Sequence, residues 1–280
     1  MAKAVMFQGT SSSVGKSTIA AAFCRIFRQD GFKVAPFKAQ NMSSKTFMTC
    51  SGEEISISQA MQARAAGVSP TSDMNPVLLK PQGHMMSNVI IHGKPIGNLP
   101  SSEYRDKYLP QMKEAIYDSY RRLSREYDVI VIEGAGSPVE VNLKDRDIVN
   151  MSMAKIARAP VILVADISLG GVFASIIGTL ELLEPDEKDM VAGIVINKFM
   201  GDITLFEPGV DFLEERTGKP VFGVVPYVGE QLNEESDGRS EEGTGKGNEP
   251  RKEVDFDQLA HVVRHSIDMS AFYSAVGIKH

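Results

Sequence analysis

The chain has 280 residues, 42% of them hydrophobic and 24% charged, the make-up of a soluble globular protein with room for one large α/β domain and an appendage. Its net charge of −6 argues against a general nucleic-acid or anionic-membrane surface, either of which would show a basic excess, so any phosphate affinity must be local. Met1-Ala2-Lys3 leads straight into an apolar run, and no apolar stretch approaches membrane-spanning length, so the expected location is cytoplasmic.

The first element is the apolar run 4–7, read as a buried strand. It is followed by Gly9-Thr10-Ser11-Ser12-Ser13-Val14-Gly15-Lys16-Ser17-Thr18 and a helical pattern to residue 28. Glycines after a buried strand let successive N–H groups turn inward on an anion, and the helix that follows adds its positive dipole end. The stretch therefore reads as an ATP-binding phosphate loop. Thr10, Ser12, Ser13, Val14, Gly15 and Thr18 line the cradle, Lys16 reaches the outer phosphates, and Ser17 offers its hydroxyl to Mg²⁺. The plain alternative is a Gly/Ser-rich turn without a ligand. Five residues separate Gly9 from Gly15, one more than in the usual loop.

A second apolar run, 34–37, delivers Lys38, and amide and hydroxyl groups follow in Gln40-Asn41-Met42-Ser43. Lys38, Asn41 and Ser43 are candidate contacts to an anionic substrate or a migrating phosphoryl group, against a solvated lysine before a polar loop. Glu54 precedes a helical stretch at 58–66. It can complete Mg²⁺ coordination with Ser17 and a second acid, or sit solvated in a helix's first turn. Segment 73–81 leads into 89–92 as an added strand pair, whose Asp73, Asn75 and Lys80 rank below the loop residues.

After a long amphipathic stretch at 104–126, the run 129–132 ends in Glu133-Gly134-Ala135-Gly136. Glu133 is placed to touch Mg²⁺ directly or through water, and Gly134 lets the backbone approach substrate; a strand-terminal glutamate can also cap a neighbouring helix. Asp147 caps the helix predicted at 148–156 or serves the substrate. Run 161–165 delivers Asp166, with Gly170-Gly171 opening a helix at 172–183. Run 194–196 delivers Asn197, which either holds an adenine edge or caps a helix. A helix at 209–216 and a strand at 221–225 complete the pattern.

Strand-length apolar runs alternating with helical periods predict an α/β fold, a doubly wound and mostly parallel sheet flanked by helices, with ligands beyond the carboxyl ends of the strands. The domain is expected to span 1–228. Residues 229–254 read as an acidic Gly/Ser-rich disordered linker, and 255–280 as an amphipathic helix. Cys24 and Cys50 lack metal-ligand spacing, and the five histidines are scattered.

The ordered set of Gly9–Thr18, Pro36–Ser43, Glu54 with Gln59-Ala60-Met61-Gln62-Ala63, Asp73–Pro81, Glu133–Pro138, Asn142–Asp147, Ala165-Asp166 with Gly170-Gly171-Val172-Phe173, and Asn197–Asp202 resembles the ATP-dependent amidase part of the cobyric acid synthases. These belong to the dethiobiotin synthetase-like P-loop proteins, whose loop has the same longer form. The resemblance covers about residues 3 to 228. It implies an ATP- and Mg²⁺-dependent carbon–nitrogen ligase of cobalamin biosynthesis that phosphorylates a carboxylate of adenosylcobyrinic acid a,c-diamide and lets ammonia displace the phosphate. Lys16, Lys38 and Glu133 would be its catalytic groups, and Ser17, Glu54 and Glu133 its metal ligands. Two departures stand out. Ser56-Ile57 and Ser168-Leu169 occupy places where the family carries Gly-Arg and Asp-Arg. No cysteine follows Cys50, so the chain is expected to lack glutaminase activity and to take ammonia free or from a separate glutaminase subunit. A homodimer is a further expectation. The reading from another class is a nucleotide-binding regulatory or assembly module of the corrinoid pathway that has lost the chemistry.

Overall fold

The computed structural model describes residues 1–84, 86–100, 107–229 and 254–279. The chain runs β1 (Lys3–Gly9), α1 (Lys16–Gln29), β2 (Val34–Phe37), β3 (Gln40–Met42), β4 (Thr46–Met48), β5 (Glu54–Ser56) and α2 (Ile57–Ala66). It continues through β6 (Val77–Pro81), β7 (Met86–Ile91), β8 (Lys94–Pro100), α3 (Leu109–Glu126), β9 (Val129–Glu133), α4 (Met151–Ala157) and β10 (Val161–Asp166). Last come α5 (Val172–Leu182), α6 (Pro185–Met190), β11 (Val191–Phe199), α7 (Glu207–Thr217), β12 (Val221–Pro226), α8 (Phe256–His265) and α9 (Met269–Val276). The expected linker lies, apart from its ends, outside the described residues, as does the start of the helix expected at 104.

The six apolar runs are the six strands of one parallel sheet, ordered β12-β11-β10-β1-β9-β2. Because they are buried on both faces, they read as continuous Val/Ile/Leu runs rather than as alternating patterns. Alternate residues serve two cores. Ala4 and Met6 of β1 and Ile130 and Ile132 of β9 pack with α3, α4 and α5. Val5 and Phe7, with Val129 and Val131, pack with α1 and the C-terminal helices. By the same period of two, Glu133 follows Val129 and Val131 toward the α1 face, and Lys38 follows Val34 there.

The expected strand pair is part of a larger four-stranded sheet, β3-β6-β7-β8, in which β3 runs parallel to β6 and the other neighbours are antiparallel. A short hairpin, β4–β5, precedes α2. The expected single C-terminal helix is divided at residues 266–268, where Ile267 forms an antiparallel bridge with Gly223 and the Asp268 N–H donates to the Phe222 carbonyl at 2.8 Å. A Cβ at Gly223 would stand 1.9 Å from the Ser266 carbonyl oxygen, so only glycine lets the tail lie on this edge. Phe272 then stacks on Phe23 at 4.4 Å between ring centroids and meets Phe222 edge-on at 5.7 Å. Arg25 clasps Asp257 with contacts of 2.7 and 2.5 Å, and Arg264 reaches Asp30 at 2.7 Å.

Candidate active site

In the sheet order β1 lies between β10 and β9, so the loop after β1 opens into the crevice where ligands of such sheets bind. The Thr10 N–H donates to the Val164 carbonyl of β10 at 3.0 Å. Residues 11–13 form the exposed crest, and Val14, Gly15 and Lys16 turn inward and are buried. Gly15 has φ +97°, and a Cβ there would lie 2.1 Å from Nδ2 of Asn197. Three loop carbonyls that would repel a phosphate each have a donor: Ser11 has Lys16 Nζ at 2.9 Å, Ser13 has Lys198 Nζ at 2.6 Å, and Val14 has Asn197 Nδ2 at 2.9 Å. Helix α1 begins at Lys16 with no acidic residue in its first turn, which leaves its positive end uncompensated for an anion.

Beside the loop stands a polar cluster around Glu133, whose side chain is inaccessible to solvent. Its Oε1 accepts from the Lys38 Nζ and from the Ser17 hydroxyl, each at 2.8 Å. Its Oε2 accepts from the Gln62 amide at 2.6 Å and the Gln59 amide at 3.4 Å. Burial pushes the Glu133 carboxyl up, but the Lys38 charge and the hydrogen bonds from Lys38, Gln62 and Ser17 outweigh it and hold the group below the usual glutamate range. Lys16 connects the loop to the turn after β9, since its Nζ also donates to the Gly136 carbonyl at 3.2 Å.

The other expected residues are placed differently. Glu54 lies against Lys80, Oε1 to Nζ 2.6 Å; burial raises its carboxyl, and hydrogen bonds from Lys80 and Thr46 outweigh that and lower it. Its carboxylate is thus engaged by a cation of the second sheet, while the Ser17–Glu133 pair is completed by Lys38 and the glutamines. Asn41 is buried and donates to the Ser58 hydroxyl at 3.3 Å, and Ser43 closes a local turn on Lys45 at 3.0 Å. The alternation of β3 sends Gln40 and Met42 outward instead, into a cleft of about 300 Å³. Leu109, Met112, Pro138, Leu143 and Ile148 give that cleft apolar walls, and Gly136 forms its border with the phosphate loop. Asp147 lines it while capping α4: its Oδ1 accepts from the N–H groups of Val149 and Asn150 at 2.9 and 2.8 Å, and its Oδ2 from Ser152 at 2.8 Å. Gly134 begins the turn, its N–H given to the Phe7 carbonyl at 2.9 Å. Asn197 braces the loop through Val14 rather than capping a helix.

Several residues that organise the site carry little or no individual signal in the sequence, although Asn75 is a lower-ranked candidate there and Gln59, Gln62 and Lys198 lie in stretches that carry the resemblance. Gln59 and Gln62 look like ordinary helix residues, and only their i,i+3 spacing puts both amides on one face. Asn75 receives the Ser56 N–H at 3.1 Å and donates to the Lys38 carbonyl at 3.2 Å, joining the start of α2 to the end of β2. Asn150 grips the Ala135 and Ser137 carbonyls at 2.7 and 3.1 Å and so shapes the glycine turn. Lys198, at φ +59°, pairs with Asp166 at 2.7 Å. Burial raises the Asp166 carboxyl, and hydrogen bonds from Lys198 and Ser168 more than offset it. Where the resemblance leads one to expect arginines, Ile57 starts α2 and Leu169 stands 88% exposed before Gly170.

A protein of Desulforamulus reducens named cobyric acid synthase is 56% identical to this chain over 243 residues, 87% of this chain and 48% of that protein. The cobyric acid synthase of Pelotomaculum thermopropionicum is 57% identical over 228 residues, 81% and 43% of the two chains, and that of Sorangium cellulosum 57% over 239 residues, 85% and 46%. The chain thus spans about half the length of the relatives it matches. Among solved structures, the signal recognition particle receptor FtsY of Elizabethkingia anophelis in complex with GDP aligns over 84% of this chain and 59% of its own with a TM-score of 0.48 and 18% identity. Among the described residues no helix is long and apolar enough to cross a membrane. The CobQ/CobB/MinD/ParA nucleotide binding domain model matches residues 5–240, and the chain belongs to that family.

Proposed function

We propose that the chain uses ATP to activate a peripheral carboxylate of a corrinoid, adenosylcobyrinic acid a,c-diamide, and passes it to ammonia to form an amide. The observation that carries this reading is the buried node at Glu133, where one carboxylate joins the helix that opens at the phosphate loop to Lys38, next to an apolar cleft. The names of the relatives support the substrate class.

The donor set fits Mg²⁺, a hard cation that takes oxygen ligands and substrate phosphates. The Ser17 hydroxyl gives its proton to Glu133, so its lone pairs remain for a cation, and the ionised Glu133 supplies charge. Bound there, Mg²⁺ would neutralise the outer phosphates. The residues themselves do the positioning. The crest and the start of α1 hold the triphosphate, with Lys16 reaching the outer phosphates from its present carbonyl partners. A substrate carboxylate oxygen attacks the γ-phosphorus, the bond to the bridging oxygen of ADP breaks, and an acyl phosphate results. Ammonia then attacks the acyl carbon, the carbon–oxygen bond breaks, and phosphate and a proton leave. Lys38, behind Glu133, steadies the charge on the transferring group. The cleft is of a size for one edge of the macrocycle and the side chain being amidated, with Lys144 and Asp147 at its polar rim. The ammonia comes free in solution or from a separate glutaminase chain.

Purified protein mixed with Mg-ATP, ammonium and the diamide should release phosphate in proportion to corrinoid and yield an amidated product by mass spectrometry. A folded protein that binds ATP but releases no corrinoid-dependent phosphate would refute this reading and favour the regulatory module.

A further inference from the structure

Gln59 and Gln62 are 0% and 1% exposed in an otherwise Ala-rich helix face. Buried glutamines lose side-chain freedom and must satisfy two polar ends each, so a packing role alone would be better met by Leu or Met. Their hydrogen bonds form an ordered series. Gln59 Nε2 donates to Gln62 Oε1 at 3.0 Å, which fixes the Gln62 amide with its nitrogen toward the carboxylate. Gln62 Nε2 then donates to Glu133 Oε2 at 2.6 Å and lies 3.4 Å from the Ser17 carbonyl. The orientation of Gln59 is determined too, because a flipped amide would put its oxygen against Gln62 Oε1 and Glu133 Oε2, two acceptors. In this orientation Gln59 Oε1 is buried with no hydrogen-bond partner among the described residues, a cost kept for the sake of the other end.

We infer that Gln62, oriented by Gln59, is a positioning residue of the metal site. By holding Oε2 it keeps Glu133 from rotating and presents Oε1 beside the Ser17 hydroxyl, so that the two oxygen ligands keep their spacing when Lys38 adjusts to a substrate. Helix α2 is itself tied to the Lys38 strand end through Ser56 and Asn75, so both partners of Glu133 move as one unit. This inference rests on reading Ser17 and Glu133 as the metal pair.

The test is the Mg²⁺ dependence of binding of a fluorescent ATP analogue, which needs neither corrinoid nor turnover. Gln62→Met keeps the volume and removes the amide, and it should raise the half-saturating Mg²⁺ concentration about tenfold, the scale of losses in outer-shell partners of metal ligands. Gln59→Met should raise it by a smaller factor. A Gln62→Met protein with a native thermal transition and a Mg²⁺ midpoint within twofold of the parent overturns the inference, as does a parent whose nucleotide binding ignores Mg²⁺. Should Gln62→Met fail to fold, Gln59→Met and Gln62→Asn in the same titration decide it, parental midpoints in both counting against. Absence of corrinoid-stimulated turnover in the parent would refute the proposed function and leave this result standing.

Discussion

The Lys38–Glu133 pair is enclosed, with side chains 3% and 0% exposed. Removing both charges from water costs several kcal/mol per ion, which the 2.8 Å contact and the added donors offset. Such a pair is weak support for a stabilising role, because two apolar groups of the same volume often do as well. A double-mutant comparison separates stability from chemistry. Glu133→Gln removes the carboxylate that faces the buried Lys38 charge and should lower unfolding free energy in urea by about 3 kcal/mol. Lys38→Met with Glu133→Gln should recover much of that loss, yet neither protein should turn over Mg-ATP. Recovery of turnover in the double variant would show the pair to be scaffolding. Lys38 and Glu133 stand out in the sequence because each is a charged residue at the end of a buried apolar run, an expensive place for an idle polar group, and Lys16 and Ser17 because they follow the glycines of the loop at the start of a helix. The glutamines of α2 do not, since an amide carries no charge signal and its role comes from a helix packed across the sheet.

At the level of elements, the phosphate loop is shaped as much by β11 as by its own glycines. Asn197 and Lys198 leave the end of β11 and take the Val14 and Ser13 carbonyls, and Asp166 at the end of neighbouring β10 anchors Lys198. Gly15→Ala meets both a positive φ and the Asn197 amide, so it should abolish nucleotide binding by calorimetry while the thermal transition persists. Lys198→Ala removes one brace and should weaken ATP binding about tenfold, the worth of roughly one charge-assisted hydrogen bond. If Lys198→Ala binds ATP as the parent does, the brace is ornamental to the loop. The parallel strands were legible because burial on both faces leaves uninterrupted Val/Ile/Leu runs. β3, β4 and β5 are three-residue strands rich in polar residues, too short to show a period. The sequence therefore offers Asn41 and Ser43 by chemistry alone, as amide and hydroxyl groups after Lys38, whereas the outward positions of β3 are Gln40 and Met42.

For the molecule as a whole, the C-terminal helices complete the core on the α1 face rather than merely lying on its surface. Phe272 is inaccessible to solvent and contacts the rings of Phe7, Phe23, Phe27 and Phe222, residues of β1, α1 and β12. The apolar pattern of this tail is visible in the sequence, but its division at Ile267 is made by the bridge to Gly223 together with Asp268, which caps the second helix by accepting the Ala271 N–H at 3.0 Å. Val228 and Asp255 line a common cleft with Leu259 and Val262, so the chain leaves the sheet and returns to it at one place. The core of residues 1–228 is therefore completed by a segment that follows it in sequence by more than a short turn. Phe272→Ala should cost about 3–5 kcal/mol of unfolding free energy, the range for a large aromatic side chain lost from a core. A chain ending at Val228 would expose those four rings at once and should bind a hydrophobic dye and lose its cooperative thermal transition. A peptide of residues 254–279 added in trans should restore both the transition and ATP binding, since the Arg25–Asp257 and Arg264–Asp30 contacts as well as the Phe272 site are carried by that segment. A shortened chain that melts cooperatively and binds ATP without the peptide would show that the sheet and its phosphate loop stand without the tail.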